Sequence, residues 1–298
     1  MSKVFHSSGS APEVVFATCN ECPDLQLSDA LVADALEAAG VRVRAAPWNG
    51  STKAFTEADL IVVRSTWDYP SAIEPFRAWL GGFAKHDRVV NSPSLMRWNF
   101  TKRYLMRLAA DGAPLPPTRF AAPTVRDIAA AMDDLKINEG VVKPIIGATA
   151  SGLSRVRRGD QISLQGAAER LGHACPGQTC LVQPLIAAIA TLGETSMVYI
   201  NGEFTHAVLK RPQPGDIRVQ EEHGGATKRT EPTAAAIRRG AEILKLLPEM
   251  PLYARVDAVI LDETLQLMEV ELIEPELFYT HAPEAADRFT AALLEKLR

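Results

Sequence analysis

Three acidic residues near the carboxyl end are spaced for cation chemistry. Asp257 stands in the apolar, β-branched run Val256-Asp257-Ala258-Val259-Ile260, and Glu269 and Glu271 follow in Leu267-Met268-Glu269-Val270-Glu271-Leu272. Both runs read as adjacent β-strands. Residues two apart on a strand share a face, so Glu269 and Glu271 point the same way. Neighbouring carboxylates repel, and taking them out of water is costly without a positive partner. A hard divalent cation such as Mg²⁺ meets that need, because it takes oxygen ligands and shares them with phosphates. The plainer reading is a strand face whose acids are solvated. Arg255, two before Asp257, shares its face and would either pair with the acids or hold a substrate oxyanion.

Cationic residues elsewhere supply the complement. Lys143 lies in the apolar strand Gly140-Val141-Val142-Lys143-Pro144, and a lysine inside such a strand is unusual unless it faces an anion. The loop after it, Gly147 to Gly152 with Ser151 between, is small enough for its backbone N–H groups to approach a phosphate. It is not a Walker A loop, since Leu153-Ser154 stands where Lys-Ser/Thr would be. The alternative is a hairpin turn after a lysine that reaches the surface. Taken singly, Lys102 reads as an exposed helix lysine, and Lys210, Arg211, Arg218, Gly224 and Gly225 as a solvated charged loop. Glu222 and His223 belong to the same loop, where a histidine is more often a surface residue.

The elements that carry these residues follow from hydrophobic period. Val14–Ala17, Val41–Ala45, Asp59–Arg64 and Val89–Val90 read as strands. Asp29–Ala39 and Ile73–Phe83 read as helices, the first stopped by Gly40. This alternation predicts an open, parallel α/β sheet over residues 1–91. Ligands of such sheets bind outside the carboxyl ends of strands, which puts the loops Thr18–Asp29 and Ser65–Pro70 at a cleft. There Ser65, Thr66, Trp67 and Asp68 become candidate substrate contacts, with Asp68 placed to receive an amino group and Trp67 equally suited to packing. Residues 92–185 read as a central α+β unit. It holds helices at 101–110, 125–135 and 163–171, strands at 140–144, 153–156 and 180–184, and a linker at Pro114, Pro116 and Pro117. Residues 186–298 read as strands 195–200 and 204–210, a loop 211–230, a helix 234–246, the two acidic strands, and a helix 282–297.

Composition narrows the classes. A chain of 298 residues with 47% hydrophobic and 23% charged residues suits two or three subdomains. A net charge of −4 makes nucleic acid a poor partner. No apolar run nears the ~20 residues a membrane helix requires. The polar start, Met1 to Pro12, has no signal pattern, so the expectation is a cytoplasmic protein. Cys19 and Cys22 form a C-x-x-C, and Cys175 and Cys180 lie five apart. Neither pair has the companion ligands of a tetrahedral zinc site, so unbridged thiols are expected.

The cationic and acidic stretches occur in a recognisable order. R-S-T-W-D-Y (64–69), K-R-Y-L (102–105), V-V-K-P (141–144), Q-P-L-I (183–186), H-A-V-L-K (206–210), A-R-V-D (254–257) and M-E-V-E-L-I-E-P (268–275) succeed one another. In that order and spacing the chain resembles the ATP-grasp ligases over nearly its whole length. It is most similar to the glutathione-synthetase-like branch that includes an O-ureido-serine cyclo-ligase. The resemblance implies three subdomains with ATP held between two α+β lobes. Lys102 and Lys143 would contact the phosphates under a flap, Gly147 to Gly152. Gln183, Pro184, Leu185 and Ile186 would be the hinge that holds adenine. Asp257, Glu269 and Glu271 would hold two Mg²⁺, and Lys210, Arg218 and Arg255 would face the transferred phosphoryl group. Relatives often carry Asn at the last metal position, where this chain has Glu271, and the cyclo-ligase carries a serine at the place of Glu276. Glu276 joins Gly224 and Gly225 as a substrate candidate on that ground. The implied reaction is carboxylate activation through an acyl phosphate, then attack by an amine-type nucleophile, giving a linear or cyclic product. The resemblance leaves a homodimer open. A small-molecule kinase and a non-catalytic nucleotide binder are the other readings.

Overall fold

Val14 to Ala17 are fully buried, as a strand covered on both faces requires. The computed structural model describes residues 11–174, 177–261 and 263–298, so the start of the polar tail and Cys175 lie outside the described residues. In the first unit β1 (Glu13–Thr18), α1 (Leu27–Ala38), β2 (Arg42–Pro47), α2 (Lys53–Thr56), β3 (Leu60–Val63), α3 (Ile73–Gly82) and β4 (Val89–Val90) succeed one another. The strands form a parallel sheet of order β2-β1-β3-β4, the arrangement expected from the alternation.

Two short helices follow, α4 (Pro93–Asn99) and α5 (Tyr104–Ala110). Ser92 caps α4, its hydroxyl accepting from Leu95 N–H, with Pro93 in the first turn where its missing N–H costs nothing. The central unit runs β5 (Arg119–Ala121), α6 (Val125–Leu135), β6 (Glu139–Pro144), β7 (Ser154–Arg157), α7 (Gln161–Ala174) and β8 (Cys180–Pro184), with sheet order β5-β8-β6-β7. It has its own core, in which Ile128, Met132, Val142, Val156, Leu164, Leu171 and Val182 pack together.

The last unit holds α8 (Ala188–Leu192), β9 (Glu194–Ile200), β10 (Glu203–Arg211), β11 (Ala226–Thr230), α9 (Ala234–Leu244), β12 (Tyr253–Leu261), β13 (Thr264–Glu271) and α10 (Pro283–Lys296). Its sheet is antiparallel, of order β11-β10-β9-β12-β13. The stretch 211–230, read above as a loop, ends in strand β11. That strand is a polar edge strand, half or fully exposed along its length, so it carries no apolar alternation to read. α10 packs back on α1 of the first unit through Phe289 and Leu293 against Val32 and Leu36. Cys19 and Cys22 are unbridged. Among the described residues no helix is long and apolar enough to cross a membrane.

Candidate active site

The β12–β13 hairpin sets the acidic residues. Its register puts Asp257 opposite Glu269 and Arg255 opposite Glu271. A bulge after Asp257 shifts the register there, and bulges of this kind re-aim side chains beside functional sites. Asp257 is 3% exposed and fully engaged. It accepts from Ser196 Oγ at 2.6 Å, from Arg255 Nε and Nη2 at 3.0 and 2.9 Å, and from Lys210 Nζ at 3.4 Å. Lys210 also reaches Glu194 at 2.7 Å. Glu269 meets Lys102 Nζ at 2.5 Å, and Glu271 pairs with Arg255.

These charges are mutually tuned. Burial opposes ionisation of Asp257, but Arg255 and Lys210 override it and hold the carboxyl well below its usual range. For Glu269 burial is likewise overcome, by Lys102 and Lys143. Glu271 goes the other way: burial, then Asp257 and Glu269, outweigh Arg255 and push it up to about 7. Glu274 is pushed up to about 8 by burial and by Glu271. The cleft thus holds more carboxylate than its own cations neutralise.

The central unit supplies the opposite wall. Along β6 burial alternates, with Gly140, Val142 and Pro144 buried and Glu139, Val141 and Lys143 turned toward the cleft. Burial lowers the Lys143 ammonium below its ordinary range, with Glu269 opposing and Lys102 adding to the effect. Lys143 has no ion-pair partner among the described residues, which leaves a desolvated cation facing the cavity. The flap holds Thr149 and Ala150 at φ of 53° and 56° and Gly152 at 74°, so two non-glycine residues sit in the left-handed region. Lys102 is tied to the flap by Nζ, which donates to Gly147 O at 3.3 Å, and to the segment just before it by its backbone N–H, which donates to Ile145 O at 2.7 Å. At the hinge, Gln183 Nε2 donates to Thr118 Oγ1 at 2.9 Å and Leu185 N–H donates to Glu139 O at 3.2 Å.

One cavity of about 860 Å³ lies between these walls. Lys102, Lys143, Gly147, Ser151, Gln183, Pro184, Leu185, Ile186, Lys210, Arg218, Arg255, Asp257, Glu269, Glu271, Trp67 and Glu276 all line it. Other sequence candidates do not. Ser65 and Thr66 are buried behind the wall, their hydroxyls without a partner among the described residues. Asp68 is turned to the first unit, accepting from Trp48 Nε1 at 2.6 Å and Asn49 Nδ2 at 3.2 Å. Gly224 and Gly225 serve their own turn: φ at Gly224 is 80°, and a Cβ on Gly225 would lie 2.2 Å from Val219 O. Gly152 lies just behind the lining. Arg218 is clamped by Asp216 at 2.7 Å. Sequence reasoning passed over Glu194, Ser196, Tyr69, Glu274 and Phe278. Glu274 stands inside the M-E-V-E-L-I-E-P stretch and could have been picked up there; Glu194 and Ser196 enter only through strand register.

The donor set fits a hard cation. Asp257, Glu269 and Glu271 offer only carboxylate oxygens, and burial, with neighbouring acids adding to it, makes Glu271 costly to ionise without an added cation. Among the described residues no three such groups converge at metal-ligand spacing, each acid being turned onto a lysine or arginine.

A family model described as the D-cycloserine synthetase DcsG amino-terminal domain matches residues 14–91. Over 283 residues the chain is 29% identical to the cycloserine biosynthesis protein DcsG of Streptomyces lavendulae, covering 89% of this chain and 92% of that protein. The crystal structure of D-cycloserine synthetase DcsG matches with a TM-score of 0.82 at 25% identity, covering 96% of this chain and 100% of that one. A D-alanine–D-alanine ligase from Bacillus anthracis complexed with ATP matches with a TM-score of 0.69 at 14% identity, covering 97% and 96%. At that identity the likeness speaks for the fold.

Proposed function

We propose that this chain, an ATP-grasp enzyme and an ATP-dependent ligase for a small amino-acid-like substrate, works by making an acyl phosphate and handing its acyl group to an amine-type nucleophile. The observation that carries the reading is the convergence of Lys102, Lys143, Lys210 and Arg255 with Asp257, Glu269 and Glu271 on one cavity between two lobes. Phosphoryl transfer needs in-line positioning and charge neutralisation more than covalent help from the protein. Lys143, desolvated and outside any ion pair among the described residues, offers its ammonium to the phosphates. Lys102 couples the flap to the same anion through Gly147. Leu185 N–H is spent on Glu139 O, so the amide of Ile186 is the hinge donor we assign to the base. Asp257, Glu269 and Glu271 would hold Mg²⁺, two ions in this reading, which when bound neutralises charge on the phosphate oxygens.

A carboxylate oxygen of the substrate attacks the γ-phosphorus, and the bond to the β–γ bridging oxygen breaks as ADP leaves. The nucleophile's nitrogen then attacks the acyl carbon, phosphate departs with the C–O electron pair, and the nitrogen gives up a proton. Lys210 and Arg255, both on the cavity wall, would steady the oxygens of that phosphate. The flap keeps water from the activated acyl group.

The test uses a substrate acid labelled with ¹⁸O in its carboxylate. The reading requires one labelled oxygen to appear in inorganic phosphate, with ADP release dependent on the nucleophile. A stable phosphorylated acid formed without any acceptor would make the protein a kinase. Absence of ADP release across a broad panel of acids and amines would remove the catalytic reading.

A further inference from the structure

We propose that Glu274 and Glu276 are specificity residues that seat a primary ammonium group of the acid this enzyme activates. The inference deepens the ligase reading and rests on it for the place of the reacting carboxylate.

Three consecutive carbonyls are held from behind. Trp67 Nε1 donates to Glu274 O at 3.2 Å, Arg64 Nη2 to Pro275 O at 2.8 Å, and Arg255 Nη1 to Glu276 O at 3.1 Å. The donors come from two different units, and Arg64 is itself fixed by Asp29 at 2.7 Å. A backbone pinned at three successive residues is a rigid mount. The side chains it presents to the cavity are Glu274 and Glu276, both of which line it. Side chains held on a pre-set backbone bind without first being ordered.

Neither carboxyl forms an ion pair among the described residues, although Lys102 attracts Glu274 and Arg64 attracts Glu276 from further off. Lys102 is committed to Glu269, Lys210 to Glu194 and Asp257, Arg255 to Asp257 and Glu271, and Arg218 to Asp216. Among the described residues no lysine or arginine pairs with Glu274 or Glu276. Glu274 is 8% exposed, and its own backbone N–H favours the ionised form. Glu276 spends Oε1 on Phe278 N–H at 2.7 Å, which fixes the side chain and leaves its second oxygen for another donor. Burial disfavours the charged form of a carboxyl that has no ion pair, so a cation delivered by the ligand is the partner that would stabilise that form. Trp67 and Phe278 line the cavity beside them, and aromatic faces attract cations.

The location selects the ligand. Arg255 spans the two zones, bonded to Asp257 and Glu271 on one side and to the Glu276 carbonyl on the other. An acid activated beside Arg255 therefore lies within one small molecule's length of Glu276. A short amino acid, with carboxylate and ammonium a few bonds apart, matches that span.

The experiment compares wild type, Glu274→Gln and Glu276→Gln, whose amide oxygens still accept hydrogen bonds. The probes are D- and L-alanine, serine, 2,3-diaminopropionate, ornithine and arginine, each beside its counterpart lacking the α-amine. Binding is measured by calorimetry on the enzyme loaded with Mg²⁺ and ADP, and ADP release is followed in parallel. We expect the favoured amino acid to bind roughly tenfold to a hundredfold more tightly than its amine-free counterpart, the size of one charge-assisted hydrogen bond. Glu276→Gln should erase most of that preference and leave the affinity for the amine-free acid and for ATP unchanged. Amine-independent binding overturns the proposal, as does a preference intact in both variants. ADP release that neither glutamine variant alters would sink this seat and spare the ligase reading. Amine-selective, Glu276-dependent binding without ADP release for any acceptor would do the reverse.

Discussion

Asp257 and Glu269 stand directly opposite each other in the β12–β13 ladder, and each is met by a lysine from another element, Lys210 from β10 and Lys102 from the turn before α5. Like charges placed opposite on a sheet destabilise it unless countered, so the two lysines are part of what makes the ladder stable. Glu271, one step further along, has only Arg255, already shared with Asp257. It is the carboxylate with the most to gain from an added cation. Glu271→Gln should therefore fold normally but need more Mg²⁺ for turnover. We expect the half-saturating Mg²⁺ concentration to rise by about tenfold or more, the usual cost of a weakened ion site. Titrating ADP release against Mg²⁺ checks this, and an unchanged Mg²⁺ curve would make Glu271 a structural partner of Arg255.

Lys143 has the opposite character. It is a desolvated ammonium that forms no ion pair among the described residues, and Glu269 offsets its burial only in part, so an arriving anion stabilises it further. Lys143→Met removes the charge and keeps the stem. Apparent affinity for ATP should fall by roughly ten- to a hundredfold, as for loss of a charge-assisted contact, while thermal stability stays level or rises. Nucleotide titration and a melting curve on the same sample separate the two effects. Unaltered ATP affinity would take Lys143 out of the phosphate site.

The alternation of strand and helix in the first unit could be read because each parallel strand is a solid apolar run, Leu60 to Val63 being buried at every position. The acidic pair on β13 was legible for the related reason that a strand's two-residue period needs no tertiary information. What register decides was not legible. Ser196 reaches Asp257 because β9 and β12 pair those residues directly, and no local pattern encodes that choice. Asp68 reads as an acid at a strand's end, yet Trp48 Nε1 claims it from a neighbouring loop. β5, at three residues, is too short to show any period.

Asn91 joins the first unit to the last. Its Nδ2 donates to Tyr253 O and to Leu272 O, both at 2.8 Å, and its Oδ1 accepts from Leu252 N–H at 2.8 Å. Its φ of 56° lies in the left-handed region, which Asn tolerates better than most residues. Asn91→Ala would strand three buried backbone groups and keep the strained backbone. At about 1–3 kcal/mol for each unsatisfied group, only part of it recovered by water, the loss should be about 3 kcal/mol or more. Urea unfolding checks the size. A change below about 1 kcal/mol would show that the backbone groups find other partners.

His206 gives the fold a pH dependence that can be worked through in sign. The ring is 2% exposed, with Nε2–H donating to Leu277 O at 2.8 Å. Burial lowers its pKa from 6.5 to about 4, although the Leu277 carbonyl works the other way. Between those values the unfolded chain binds a proton that the folded ring refuses. Acid therefore favours unfolding: His206's contribution is complete above about pH 6.5 and is lost progressively as pH falls toward 4. At 1.36 kcal/mol per pKa unit the whole interval amounts to about 3 kcal/mol. His206→Gln keeps a donor toward Leu277 and has no proton to gain. Its unfolding free energy should be flatter than wild type between pH 6.5 and 4, with the two curves converging as pH falls. Parallel slopes for the two proteins across that window would mean that other groups carry the acid sensitivity and that the ring is protonated while folded.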